Sequence, residues 1–311
     1  MTTVSGPPPM MGGPPPIQPM SRAKSGMPPP PPVEAGALAS PTGTKATIVE
    51  PESIDFQPPR LKLDAVEGWG KTTIGAYSSG KPLIIMCGNE TGYLTLAGGK
   101  LAPKVPYVHA TSWLMFLDAL DQALAIPGLG SVVIDATGGM ERLAHEYVCN
   151  RDFKGDWGET GFMNFQKGYE ISVAEILKAL VKLDTIREKT KATVWLLGHV
   201  KTANIKNPMG PDYDQFTGDT HPKTMAIINK WCDAIFVGKY KTVVDPTDKK
   251  KTKGKGIGGT ERVMYVDESD AVKAKNRYFM DTNPLPIPED PTQSAAVIWA
   301  ALTKHASSTP A

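Results

Sequence analysis

Between residues 58 and 290, short apolar runs alternate with helical patterns, and this alternation limits the fold more than any other feature. The runs, each bounded by turn residues, lie at 61–66 (LKLDAV), 82–87 (PLIIMC), 106–110 (PYVHA), 131–136 (SVVIDA), 193–198 (TVWLLG), 234–240 (AIFVGKY) and 262–267 (RVMYVD). Helical patterns fall between them at 71–79, 112–126, 138–150, 171–189 and 222–232. In the second, Trp113, Phe116, Leu117, Leu120 and Leu124 recur at helical spacing; in the fourth, Val173, Ile176, Leu177, Leu180 and Leu183 do the same. Strands that are apolar along most of their length must be covered on both faces, and crossover helices supply that cover. The expected fold is α/β, with a mainly parallel sheet flanked by helices.

The flanks differ in composition. Residues 1–45 include "GPPPMMGGPPPIQPM" and "GMPPPPPVEAGALAS". Proline and glycine at this density remove backbone donors and supply little apolar surface to offset ordering entropy. The expectation is a disordered arm of polyproline II character, either a solvated tail or a docking arm for a partner. One domain then spans 46–290. "DTNPLPIPEDPT" breaks the chain before 291–311, where a helix at 293–304 carries Val297, Ile298, Ala301 and Leu302 and must pack on something.

Bulk properties narrow the setting. The 34 basic and 32 acidic residues give a net charge of +2, so overall charge points to no strongly charged partner. Cys87, Cys149 and Cys232 are far apart and form no CxxC or Cys/His cluster, which argues against structural zinc and for a reducing compartment. No apolar run approaches membrane-spanning length, and the N-terminus lacks the basic-then-apolar order of a signal peptide. A cytoplasmic location without membrane partners is expected.

One stretch carries specific chemistry. In "LKLDAVEGWGKTTIGAY", Ala65 is followed after four residues by Gly70, Lys71 and Thr72. This is the looser Walker A pattern, with alanine where glycine is usual. A strand delivers the chain, a glycine-rich turn points amides at phosphates, and a helix follows. The phosphate-binding segment is Ala65, Val66, Glu67, Gly68, Trp69, Gly70, Lys71, Thr72 and Thr73. Lys71 would neutralise the β- and γ-phosphates of ATP, and the Thr72 hydroxyl would ligate Mg2+. "SVVIDATGG" has the form of a Walker B strand, ending in Asp135 as a second magnesium residue. "IIMCGNETGY" puts Glu90 beyond a strand, where ligands gather in open α/β sheets and a carboxylate can activate water. His199 closes "TVWLLGH" at the same edge and could sense the γ-phosphate. Read without the rest, Glu90 and His199 are ordinary loop residues.

Together these residues resemble the RecA-like branch of P-loop ATPases. The resemblance sharpens against phage-encoded ATPases labelled AAA-family ATP-binding proteins and related to phage single-strand-annealing recombinases. It rests on "VVIDATGGMERLAHEYVC", "GYEISVAEILKALVKLDTIR", "LLGHVK", "YDQF", "HPKTMAIINKWCDAIFVGKYK", "GIGGTERVMY" and "AKNRY", across residues 60–285. Ala65 departs from that family's glycine, which bears on loop geometry and turnover. The resemblance implies that Lys275 and Arg277, alternating on a short terminal strand, reach a neighbour's γ-phosphate, and hence a homo-oligomeric ring or filament. It also implies single-stranded DNA bound by two loops, with a single-stranded-DNA-binding or replication protein as a further partner. The first candidate loop, 151–168, offers Lys154 and Trp157 beside Phe153, Phe162 and Phe165. The second, 201–223, offers Lys201, Lys206, Tyr213 and Phe216. "DKKKTKGKGIGG" (248–259) reads as a mobile hairpin tip or a solvated charge run.

Three functions remain open from sequence. One is an ATP-dependent recombination protein acting on single-stranded DNA. The others are a replicative-helicase-like motor, with no recognisable primase or loader domain beside it, and a nucleotide-switched binding module with little hydrolysis. Stimulation of ATP hydrolysis by single-stranded DNA separates the first two from the third.

Overall fold

The computed structural model describes residues 55–244 and 256–305. The proline-rich arm (1–45) and most of the lysine-rich tip (248–255) lie outside the described residues.

Each apolar run forms a strand. In chain order the elements are β1 (Arg60–Ala65), α1 (Lys71–Ala76), β2 (Pro82–Cys87), α2 (Gly92–Gly98), β3 (Tyr107–Ala110), α3 (Trp113–Ala123), β4 (Ser131–Asp135) and α4 (Thr137–Phe153). There follow α5 (Lys167–Thr190), β5 (Thr193–Ile205), β6 (Tyr213–Gly218), α6 (Pro222–Trp231), β7 (Ala234–Val244), β8 (Gly256–Tyr265), β9 (Lys275–Asn276), β10 (Leu285–Ile287) and α7 (Pro291–Thr303). The strand order is β10-β8-β7-β1-β5-β4-β2-β3. From β7 to β3 every neighbouring pair is parallel; β8 and β10 add antiparallel at one edge. The α/β expectation of a mainly parallel, helix-flanked sheet holds.

Two apolar layers sandwich the sheet. Leu83, Ile85, Val132, Ile134, Val194 and Leu196 pack with residues of α3, α4, α5 and α6. Leu61, Leu63, Ile84, Val133, Trp195 and Leu197 pack on the other face with Ile74 of α1 and with α7. The C-terminal helix does pack: Ala295, Ile298 and Leu302 are buried in this second layer. Each large aliphatic side chain buried there contributes roughly 1.5–3 kcal/mol. Asp290 caps the helix, accepting from the Thr292 amide at 2.9 Å.

The structure departs from the sequence reading in four places. First, β1 is not continuously apolar. Lys62 and Asp64 alternate with the leucines, are almost wholly buried, and form an ion pair on the opposite face. Burial raises the Asp64 pKa against the pull of Lys62, since removing a carboxylate from water disfavours its charge. Second, the segment 201–223 is largely not a loop. Val200–Ile205 continues β5 past the sheet and pairs antiparallel with β6. Third, α2 and β10 give no apolar periodicity long enough to be read, being seven and three residues. Fourth, β9 is only Lys275–Asn276 and pairs with Ile235 and Ala234 at the amino end of β7.

Among the described residues, no helix is long and apolar enough to cross a membrane.

Candidate nucleotide site

The carboxyl ends of β1, β2, β4 and β5 lie side by side, with Ala65 opposite His199 and Asp135 opposite both Met86 and Leu197. Residues that follow these strands therefore converge, although 134 positions separate Ala65 from His199 in sequence. The turn between β1 and α1 needs two left-handed residues, Gly68 at φ 70° and Gly70 at φ 102°. Only glycine adopts both without steric cost.

Lys71 folds back over this turn. Its ammonium donates to the carbonyls of Ala65 (2.8 Å) and Val66 (3.2 Å) and lies 3.5 Å from His199 Nδ1. Burial lowers its pKa, opposed by the fields of Asp135 and Glu90. The Thr72 hydroxyl donates to Asp135 at 2.7 Å. Asp135 is buried, and desolvation pushes its pKa up to about 6, helped by Glu90 and opposed by the Thr72 hydrogen bond and Lys71.

These groups open onto a cavity of about 800 Å3 lined by residues 67–73 together with Glu90, Asp135 and His199. Of the glycine-rich segment, residues 67–73 line the cavity, while Ala65 and Val66 lie beneath it. Ala65 and Val66 contribute carbonyls, and Ala65 itself belongs to the core. The Trp69 side chain is fully buried rather than turned to phosphate. Its indole Nε1 donates to the Lys239 carbonyl at 3.1 Å, and its ring lies against Gly238, where a Cβ would stand 2.7 Å from it. A Cβ on Gly238 would also come within 2.8 Å of the Ala65 methyl. Ala65, Trp69 and Gly238 thus form one tightly fitted contact beneath the turn.

Sequence reasoning missed the outer wall. Tyr240 on β7, Thr260 and Arg262 on β8, and Glu289 line the cavity. Tyr240 donates to the Gly68 carbonyl at 2.9 Å, and Arg262 to the Trp69 carbonyl at 2.8 Å. The period-two spacing of Thr260 and Arg262 was the available signal, since it puts both on one strand face.

A magnesium–nucleotide complex fits the donor set. Thr72 and Asp135 supply adjacent hard oxygens, and the raised Asp135 pKa marks a buried carboxylate lacking a full positive partner.

The remaining sequence candidates are dispersed. Lys275 donates to carbonyls of Asn229 and Cys232 at the carboxyl end of α6, and Arg277 pairs with Asp233 at 3.3 Å. Both lie at the amino edge of the sheet, about four strand residues or roughly 13 Å from the nucleotide edge. The pair therefore does not line this chain's own cavity.

On the hairpin, Lys201 is bound to the Asp219 and Thr220 carbonyls, each at 3.2 Å, and Lys206 pairs with Asp212. Tyr213 is half-buried. Phe216, a stacking candidate from sequence, instead packs on Val237, Val272 and Ala274. The Lys239 ammonium covers its ring at 3.3 Å, so that face is not open to a base. After α4, Lys154 is exposed at φ 55° and Trp157 leans on the buried Phe162 at 4.9 Å. Phe165, at φ 44°, is 98% exposed.

Comparison with known proteins shows the family. A family described as an AAA domain matches residues 58–278. The chain belongs to that family, one of P-loop proteins. No curated protein matches it. Among solved structures, it is similar to one titled as the RadB recombinase, at 14% identity and a TM-score of 0.41, over 76% of this chain and 90% of that one.

Proposed function

We propose that this protein is a Mg2+-dependent ATPase that acts on single-stranded DNA in phage recombination, annealing or replication. The observation that carries the ATPase reading is the convergence of Lys71, Thr72, Asp135 and Glu90 on one cavity of about 800 Å3. Bound Mg2+ would supply charge neutralisation between the phosphates. Thr72 and Asp135 would hold it, and Lys71 would exchange its loop carbonyls for phosphate oxygens. Glu90, at the cavity wall, would accept the proton of an attacking water. His199 touches Lys71 and lies on the strand that continues into the β5–β6 hairpin, which supports a sensing role.

The DNA reading rests on the sequence resemblance and on two protruding elements. Lys154, Trp157 and Phe165 are exposed after α4, and Lys206 is exposed near the hairpin tip. A homo-oligomer belongs to the same proposal. Arg277 is the better candidate to reach a neighbour, because its side chain is half exposed while Lys275 is committed to α6.

ATP hydrolysis measured with and without single-stranded DNA tests the whole reading. Hydrolysis that DNA stimulates and Lys71→Ala abolishes is the expected result. An unstimulated, barely turning-over protein that still binds nucleotide would instead identify a switch module. Parent-rate hydrolysis by Lys71→Ala would remove the site assignment.

A further inference from the structure

Arg262 is a buried cation that, among the described residues, has no carboxylate in salt-bridge contact. It is 7% exposed, and its hydrogen bonds go to neutral oxygens. One arm, Nη1, donates to the Trp69 carbonyl inside the glycine-rich turn at 2.8 Å. The other, Nη2, donates to Ser294 Oγ at 3.1 Å, to the Glu289 carbonyl at 3.2 Å, and to the Pro288 carbonyl. The guanidinium also lies over the Trp69 ring, 5.6 Å from its centroid. A fork with two rigid arms thus spans the phosphate turn on one side and the start of α7 on the other.

Such a residue costs desolvation energy that neutral carbonyls offset only in part. Its pKa is lowered by burial, against the opposing fields of Tyr240, Asp290 and Glu289. It also lines the nucleotide cavity. A polyphosphate held by the adjacent turn would bring negative charge closer to the guanidinium than the fields of Glu289 and Asp290, neither of which makes a direct ion pair with it among the described residues.

We propose that Arg262 is a positioning residue that couples the phosphate turn to the C-terminal helix, so that nucleotide binding and docking of α7 stabilise each other. This rests on the nucleotide-site reading. Coupling of this kind is reciprocal: nucleotide tightens α7, and whatever loosens α7 weakens nucleotide. The helix is suited to the role. It packs on α1, the helix that carries Lys71 and Thr72, while Ser294 meets Arg262.

The test compares full-length wild type, Arg262→Lys and Ser294→Ala for ADP affinity with Mg2+ by calorimetry, and for amide hydrogen exchange in α7 with and without ADP. In wild type, ADP should slow exchange across Pro291–Thr303. A lysine cannot hold both ends of the fork, so Arg262→Lys should bind ADP at least tenfold more weakly and lose the ADP-dependent protection of α7. Ser294→Ala removes only the helix arm and should weaken that protection with a smaller loss of affinity. It also serves if Arg262→Lys fails to fold. The proposal is overturned if α7 responds to ADP equally in every folded variant, or if wild-type α7 does not respond while ADP binds. Wild type that binds no ADP would sink the nucleotide-site reading, and the coupling with it.

Discussion

The Thr72 hydroxyl donates a 2.7 Å hydrogen bond to Asp135, joining the first turn of α1 to the end of β4. Neither residue alone would mark a metal site. Together they make a pair of hard oxygens beside a lysine that other loop carbonyls hold ready.

That pair makes the first prediction. Asp135→Asn should abolish the Mg2+ dependence of nucleotide binding, lowering affinity at least tenfold, while leaving the fold at least as stable. Asparagine can still accept from Thr72, and it relieves the cost of a buried charge. Calorimetric titration with and without Mg2+, beside a thermal melt, reads both halves. Retained Mg2+ dependence would exclude Asp135 as the magnesium residue.

Glu90 lines the cavity and raises the pKa of Asp135 through its charge. Glu90→Gln should bind ATP normally and hydrolyse it about a hundredfold more slowly, the scale of a lost general base. Unchanged single-turnover hydrolysis would return Glu90 to the status of an ordinary loop residue.

His145 supplies a pH prediction. Its ring is buried among Phe162, Tyr169 and His221, with Glu141 Oε1 at 3.9 Å. Desolvation, and to a lesser extent the field of His221, lowers its pKa to about 4. The unfolded chain therefore binds this proton more readily between about pH 4 and pH 6.5. The stability from a neutral His145 is present above that window and is lost as pH falls through it, by up to about 3 kcal/mol. Buried carboxyls with raised pKa values, such as Asp64 and Glu141, act in the opposite direction. The difference between wild type and His145→Phe in urea midpoint from pH 4 to 7 isolates the histidine. Parallel curves would refute its low pKa.

The parts legible in sequence were those carried by local pattern. Strand–helix alternation showed the sheet, and Gly68, Gly70, Lys71 and Thr72 showed the phosphate turn because their spacing is its geometry. Asp135, Glu90 and His199 line one cavity, and could be grouped from sequence, because an α/β sheet gathers strand ends at one edge. The outer wall was not legible. Arg262 meets Trp69 across 193 residues, and that contact depends on β8 joining the sheet beside β7. Lys62 and Asp64 passed unremarked inside an apolar run, since pairing inside the core leaves no sequence trace. Phe216 was misjudged for a related reason. Its ring is covered by Lys239 and Val272, residues far along the chain that no local composition reveals.

The last prediction separates DNA contacts from structural ones. Phe165 is held at φ 44°, nearly fully exposed, in a segment anchored by the buried Phe162. Of the acidic residues in this segment, Asp152 and Asp156 are engaged internally with Arg151, the Gly158 amide and Thr160, while Glu159 is exposed. If this segment meets single-stranded DNA, Phe165→Ala should cost about 1–3 kcal/mol of affinity with little change in salt dependence, because stacking releases no counterions. Lys206→Ala should instead flatten the salt dependence, since its only ion-pair partner among the described residues is an exposed carboxylate, Asp212. Phe216→Ala and Lys201→Ala should act on the fold. The first opens a gap beside Val237 and Val272, costing about 2 kcal/mol or more. The second frees two carbonyls at the root of the hairpin. Oligonucleotide binding at several salt concentrations, with a thermal melt for each variant, distinguishes the two groups. Unchanged affinity in Phe165→Ala and an unchanged salt slope in Lys206→Ala would remove both elements from the DNA path and favour a nucleotide-switched binding module.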